Sequence, residues 1–145
     1  MLNQFGIDVG SIKGGGAAGG GSAGLYGLLN AKLKNGFDLL ADFVGLSDQI
    51  IEMDLVITGE GNFDNQSLFG KLPFKVAQLT ESKKIPTLIM AGQTSINNIP
   101  NMPHVQIYKI TPEKIALEKA LKNAPKYLEI KLYEVLRQLN FNQEL

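Results

Sequence analysis

The stretch Asp54-Leu55-Val56-Ile57-Thr58-Gly59 is short, apolar and closed by a glycine, and it decides the fold class. A continuous apolar run between polar flanks predicts a strand buried on both faces. The stretch from Ile85 to Gly92 has the same character, and residues 105–110 alternate as a third strand. Helical sequence separates and follows these strands. The pattern therefore predicts an α/β fold with a mostly parallel sheet flanked by helices.

Helices are predicted before, between and after these strands along the chain. The first is indicated by leucines at helical spacing and ends at Gly36, and a second covers residues 37–44 and ends near Gly45. Pro73 opens a third, which continues to about Lys84. The last two cover residues 112–122 and 125–140. The leucines of the first helix are Leu25, Leu28, Leu29 and Leu33, and the inward face of the last consists of Leu128, Leu132, Val135, Leu136 and Leu139.

Composition excludes several classes of protein. The chain has 145 residues, no Cys, one His and equal numbers of basic and acidic residues, 14 each. Zero net charge argues against a general nucleic-acid or membrane-surface binder. Without Cys there is no thiolate metal site, and a lone His104 excludes a histidine cluster. We find no secretory signal pattern and no apolar run near the roughly 20 residues that span a bilayer. We therefore predict a soluble, cytoplasmic chain.

The rim of the predicted sheet is where a ligand is expected, because parallel sheets bind ligands outside the carboxyl ends of their strands. The loop from Thr58 to Pro73 follows the first strand and gathers carboxylates, hydroxyls, amides and an ammonium group. Phosphoryl transfer needs such groups. The loop is not a P-loop, since Leu72 follows Gly70-Lys71. The alternative is a solvated, turn-rich loop in which Asp64 makes local hydrogen bonds.

The second unusual stretch is glycine-rich and holds seven glycines between Gly14 and Gly24. Glycines let backbone N–H groups approach an anion closely, especially at the start of a helix. Gly14, Gly16 and Gly19 match the spacing of a dinucleotide-binding pattern, but the preceding hydrophobic strand is missing. The alternatives are a flexible loop, or a helix whose small residues allow tight packing.

A family resemblance is visible in these motifs. Residues 56–61, followed by Asp64, Gln66, Ser67, Gly70, Lys71 and Pro73, resemble the signature ITGEGRxDxQTxxGKxP of type 1 glycerate kinases. The glycine-rich segment up to Leu25 is similar to that family's GAGAAGGxGAGL. Ala91-Gly92 and the Ile110-Thr111-Pro112 stretch resemble later family motifs. The resemblance covers nearly the whole chain, in the same order.

The resemblance implies ATP-dependent phosphorylation of D-glycerate with Mg²⁺, by a two-domain enzyme well over twice this length. It implies that residues 1–145 form its C-terminal region, with glycines and helices in 12–47 and an α/β part in 52–142. A missing N-terminal half or self-association would then complete the site. The alternatives are an inactive ligand-binding remnant and an assembly module.

The implied residue roles are carried over position by position. Glu60, Asp64 and Lys71 are the implied catalytic residues, and Glu60 and Asp64 would hold Mg²⁺. The implied substrate- and nucleotide-binding residues are Thr58, Gly59, Gly61, Gln66, Ser67, Gly14, Gly16, Gly19 and Gly20. The sequence departs from the family at Asn62, where an Arg is usual, and the chain's single Arg is Arg137. Asn cannot supply the charge with which an Arg clamps a phosphate or a carboxylate.

Overall fold

The computed structural model describes residues 8–139, which form two compact units with a boundary between Leu46 and Ser47. The first unit holds a 3₁₀ turn at Ala17–Gly20, helix α1 at Gly21–Leu29 and helix α2 at Gly36–Phe43. The prediction that Gly36 ends a helix is wrong. Asn30 ends α1 in a left-handed conformation, at φ 53°. Asn35 then caps α2, accepting the N–H of Phe37 at 3.0 Å.

The apolar side chains of the first unit are not buried. Within residues 8–46, Gly15 alone is buried. Of the leucines predicted to share one face of the first helix, Leu25, Leu28 and Leu29 are exposed, and so is Phe43 of α2, at 86%. Leu33 is half-buried and lies beyond the end of α1. An amphipathic helix is stabilised mainly by packing its apolar stripe against another layer. The described part of this unit has no apolar core of its own.

The second unit is an α/β layer structure, as predicted. Helix α3 at Leu46–Ile51 crosses the boundary and leads into a sheet of order β1-β2-β3, in which every pairing is parallel. The strands are β1 at Val56–Phe63, β2 at Thr87–Thr94 and β3 at Val105–Lys109. The remaining helices are α4 at Leu72–Ser82, α5 at Leu117–Lys122 and α6 at Ala124–Gln138.

Two of the differences from the predicted element boundaries have a clear physical reason. Strand β1 continues past Gly59 to Phe63, because Glu60 and Asn62 still pair with β2. Helix α5 begins at Leu117 instead of Pro112, since Lys114 has a φ of 58°, which a right-handed helix does not allow. The predicted end of the last helix at Asn140 lies outside the described residues.

The core has one apolar cluster on each face of the sheet. Ile89 and Ala91 of β2 pack with Phe63 and with Ala77 of α4 on one face. Leu88 and Met90 meet α6 on the other face, where Val135 is 2% exposed. Leu132, Leu136 and Leu139 join that cluster as predicted, whereas Leu128 is 39% exposed. No helix within residues 8–139 has the length and apolar character to cross a membrane.

Candidate functional site

The candidate site lies at the carboxyl end of β1, where the chain turns back on itself. Asp64 begins a turn, residues 67–69 form a 3₁₀ turn, and Gly70 takes a φ of 110° that favours glycine. Lys71 follows as the N-cap residue of α4. This reversal returns the Lys71 ammonium group to Glu60, which lies eleven residues earlier in the chain, within β1.

Glu60 has one carboxylate oxygen that is engaged and one that is not. Its Oε2 lies 3.6 Å from Lys71 Nζ, and the Glu60 side chain is 18% exposed. Its Oε1 is buried and has no hydrogen-bond partner, the one such side-chain atom found in residues 8–139. A buried carboxylate oxygen without a partner is costly, and a donor or cation supplied by a ligand would satisfy it.

Asp64 is bound into the turn. Its Oδ1 accepts the N–H of Gln66 at 2.9 Å and the N–H of Ser67 at 3.1 Å. Its Oδ2 accepts Nδ2 of Asn62 at 2.8 Å. The local turn bonds considered as an alternative are therefore present. They occupy both acceptor sites of Oδ1 and leave one free on Oδ2, since a carboxylate accepts about four hydrogen bonds, two at each oxygen.

Ser67 and Gln66 differ in their exposure to solvent. Ser67 is fully buried, and its Oγ accepts the N–H of Asp64 at 3.2 Å. Its hydroxyl thus has a structural role in the turn, and its contact with a substrate stays a prediction. Gln66 is exposed, so its amide side chain is open to solvent.

The Lys71 ammonium group lies near three other residues of the candidate site. Its Nζ lies 4.0 Å from Asp64 Oδ1 and donates to the carbonyl oxygen of Asn62 at 3.4 Å, in addition to its contact with Glu60. The side chain is 43% exposed and can reach a ligand. Two carboxylates share this one ammonium group, so the cluster carries a net negative charge that attracts a cation.

Thr58, Gly59 and Gly61 border a cavity of about 520 Å³ on the α6 face of the sheet. The cavity is mostly apolar, with Leu117 and Leu121 of α5 among its lining residues. Gly59 is needed for the sheet itself, because a Cβ there would lie 2.4 Å from the carbonyl oxygen of Met90. A Cβ on Gly61 would meet nothing within 4 Å.

The glycine-rich segment belongs to the first unit. Gly14, Gly19 and Gly20 have positive φ angles, and Gly20 donates its N–H to the carbonyl oxygen of Gly16 at 3.3 Å. The Ser22 hydroxyl lies 2.7 Å from the carbonyl oxygen of Gly14 and 2.9 Å from that of Gly15. Sequence reasoning gave Ser22 no role, although a hydroxyl among glycines is a recognisable signal of loop anchoring. Anion binding by these glycines stays a prediction.

Comparison with known proteins places the chain in a family. The model of the glycerate kinase family matches residues 1–140. The glycerate kinase of Neisseria meningitidis is 36% identical over 121 residues, with 81% of this chain and 32% of that protein covered. The glycerate kinase of Bacillus subtilis is 36% identical over 119 residues, with 81% and 31% of the two chains covered.

A solved structure agrees with this relationship. A crystal structure of a glycerate kinase 2 from Salmonella typhimurium LT2 matches at a TM-score of 0.67 and 32% identity. The match covers 99% of this chain and 37% of that one. The chain spans about a third of the length of the curated relatives named here and corresponds to their C-terminal part. On this sequence and structural similarity, the chain belongs to the glycerate kinase family.

Proposed function

We propose that this chain takes part in the ATP-dependent phosphorylation of D-glycerate to a phosphoglycerate, and that its segment from Glu60 to Lys71 contributes to the active site. Family membership supports the reaction class. The observation that carries the proposal is the unpartnered Glu60 Oε1 beside the Lys71 ammonium group, at the carboxyl end of a parallel strand.

The carboxylates fit a magnesium ion. Within residues 8–139 no three His, Asp or Glu side chains are grouped closely enough to form a complete metal cage. Mg²⁺ is usually held by one or two carboxylates together with phosphate oxygens and water, so Glu60 and Asp64 would be sufficient protein ligands. When bound, Mg²⁺ neutralises charge on the phosphate oxygens during transfer.

Some side chains of this segment would neutralise charge, and others would position the substrate. Lys71 neutralises a phosphate or the glycerate carboxylate, and its exposure leaves it free to move from Glu60 to the substrate. Asp64 is the candidate base for the attacking hydroxyl, held by the turn that it caps. Thr58 and Gln66 would hydrogen-bond the substrate or metal-bound water, and Gly59 and Gly61 allow close approach. Phosphoryl transfer depends mostly on such positioning and electrostatic stabilisation.

The proposal is tested in a chimera in which this chain replaces the matching C-terminal third of the Bacillus subtilis glycerate kinase. We expect the chimera to release ADP in a D-glycerate-dependent manner, and Glu60→Gln to lower kcat by a factor of roughly 10² or more. The matched control is Glu129→Gln on α6, an exposed carboxylate outside the site. It should retain activity within about two-fold.

The isolated chain serves as a further arm of the same assay. We expect it to show almost no turnover, because it covers about a third of its relatives' length. A folded chimera without activity, or Glu60→Gln at parental activity, would contradict the proposed role of the loop. Robust turnover by the isolated chain would contradict the need for further polypeptide.

The second candidate is a ligand-binding or assembly module without catalysis. The bond between Asn62 and Asp64 favours it, since Asn62 stands where related sequences usually have Arg and adds no positive charge. Calorimetric titration of the chimera with Mg·ATP separates the two functions. Nucleotide binding without phosphorylation of glycerate would select the second.

A further inference from the structure

We propose that the outward face of α6, centred on Ile130, is the interface through which two copies of this chain form a symmetric dimer, with their α6 helices packed antiparallel. This assembly is independent of the proposed reaction. Three observations carry it: the order of charges along α6, the exposure of the apolar residues between those charges, and a groove that fits a side chain of the second copy.

Helix α6 has one face that packs on the sheet and one that does not. Leu132 and Val135 pack in the apolar cluster beneath the helix. Ile130 and Tyr133 point away from that cluster and are 46% and 63% exposed. Because positions three or four residues apart share a helix face, Lys126 lies in one stripe with them. A solvated helix face is normally polar, so an exposed isoleucine beside an exposed tyrosine favours a surface that another molecule covers.

The sequence of α6 is symmetric about Ile130, with the charges inverted. Residues 126–134 read KYLEIKLYE. Positions equally far from Ile130 hold identical residues where they are apolar or aromatic, and opposite charges where they are charged. The matched positions are Glu129 with Lys131, Leu128 with Leu132, Tyr127 with Tyr133, and Lys126 with Glu134.

This order of charges fits an antiparallel pair of identical helices. A two-fold axis at Ile130 brings each residue to the level of the matched residue on the other copy, and every contact then occurs twice. Packed helices lie about 8–10 Å apart, so Lys126 can reach Glu134 of the second copy. A register centred midway between Ile130 and Tyr133 would instead oppose Lys126 with Arg137, which is a repulsion. The charges therefore favour the register centred on Ile130.

The charged residues of this face remain available to a second copy. Lys131 donates to Glu134 at 2.7 Å, and these two side chains are 35% and 50% exposed. A surface ion pair of this kind contributes little to stability, so Glu134 can also bind a lysine of the second copy. Within residues 8–139, Lys126 has no ion-pair partner. The dimer would supply one to it.

A groove on this face fits an aromatic ring. Its volume is about 480 Å³, and its lining consists of Lys126, Glu129, Ile130, Tyr133 and Glu134. The Arg137 guanidinium lies 5.6 Å from the centroid of the Tyr133 ring, a cation–π contact that holds the ring at the surface. The two-fold axis keeps Tyr133 of the second copy on the side of the helix pair where Lys126 and Glu129 lie. Its ring would therefore lie over that part of the groove.

The size of the surface predicts a weak dimer. Helix α6 has 15 residues and is therefore about 22 Å long. One pair of such helices buries less than the roughly 1,200–2,000 Å² of a stable interface. We expect a dissociation constant on the order of micromolar that increases with salt concentration, because salt screens the exposed charge pairs.

The test exchanges the paired charges of this chain and measures its dimerisation by sedimentation equilibrium. Lys126→Glu and Glu134→Lys should each raise the dissociation constant roughly ten-fold or more, because each places like charges at two contacts. The double variant K126E/E134K restores both contacts and should lie within about three-fold of the parent. The matched controls are Lys122→Glu and Glu118→Lys on α5, at exposed positions outside this face. They should stay within about two-fold.

Mixing the two single variants separates a contact between copies from an effect within one helix. In a heterodimer of Lys126→Glu with Glu134→Lys, both contacts join opposite charges. Tagged Lys126→Glu chain should therefore retain roughly ten-fold more untagged Glu134→Lys chain than untagged Lys126→Glu chain. An effect confined to one helix would not be rescued in this way, so equal retention would overturn the proposal.

The chimera shows whether further polypeptide covers this face instead. It should dimerise with the same dependence on Lys126 and Glu134 as the isolated chain. A monomeric chimera, a chain that stays monomeric at millimolar concentration, or a dimer that neither single variant weakens would each overturn the proposal. Turnover by a monomeric chimera would count against the dimer alone, and an inactive dimer would count against the proposed function alone.

Discussion

Individual residues in β1 and the following turn have structural roles that cannot be seen from the family motif. Gly59 lies inside the strand, where its missing side chain lets the backbone pass the Met90 carbonyl. Asp64 caps the turn that brings Lys71 back to Glu60. Both residues belong to the candidate site, so a loss of activity on mutation has two possible causes. Stability measurements separate those causes.

Gly59→Ala should destabilise the fold. The new Cβ would lie 2.4 Å from a backbone oxygen that cannot move without disturbing β2. Overpacking of this kind costs about 1–3 kcal/mol of unfolding free energy. Gly61→Ala is the matched control, since its Cβ has open space and the same strand context. Urea denaturation of the chain compares the two, and equal stabilities would show that the sheet relaxes around the added methyl group.

Asp64→Asn and Asp64→Ala should separate chemistry from turn capping. Asn keeps an oxygen for the N–H groups of Gln66 and Ser67, whereas Ala loses it and should lower the unfolding free energy by about 0.5–2 kcal/mol. In the chimera, both variants should lower kcat by orders of magnitude if Asp64 is the base. An Asn variant with near-parental kcat would exclude that role. We expect the melting temperature to be unchanged in the Asn variant and lowered in the Ala variant.

At the scale of elements, the second unit is held together by contacts that join the ends of helices and strands. Glu81 near the end of α4 accepts the backbone N–H of His104 at 3.1 Å, and its other oxygen lies 2.7 Å from His104 Nδ1. This pair fixes the start of β3 against α4, and it explains His104 without a catalytic role. The Lys109–Glu113 pair is also short, at 2.8 Å, but Glu113 is 81% exposed.

Glu81→Ala should therefore destabilise the chain more than Glu113→Ala does. The Glu81 side chain is 16% exposed and binds two groups of another element, so we expect a loss of about 1–2 kcal/mol. The Glu113 pair is a surface ion pair, and such pairs contribute about 0–1 kcal/mol. Thermal unfolding of both variants at equal salt concentration provides the measurement. A larger loss of stability for Glu113→Ala would mean that the contact between α4 and β3 contributes little to the stability of the chain.

At the scale of the whole molecule, a buried strand in the second unit contrasts with many exposed apolar side chains in both units. Thr87 to Ala91 of β2 are buried, whereas large apolar residues of α1, α2, β1 and α5 are exposed. A stable isolated domain normally buries such residues, because burial of apolar surface is the main favourable term in folding. The chimera experiment belongs to this scale, since it asks whether further polypeptide covers these residues.

The sequence by itself determined the α/β class, the parallel character of the strands and the family, because these depend on local hydrophobic pattern and on a long contiguous motif. It placed Glu60, Asp64 and Lys71 in one short segment of the chain, which it predicted as a loop, whereas in the structure Glu60 lies within β1. Only the tertiary structure decided that Lys71 returns to Glu60, that Asp64 is held by turn amides and that Ile57 lies at an open edge. These outcomes depend on which segments become neighbours in space, and a local sequence pattern does not show which distant segment of the chain will be the neighbour.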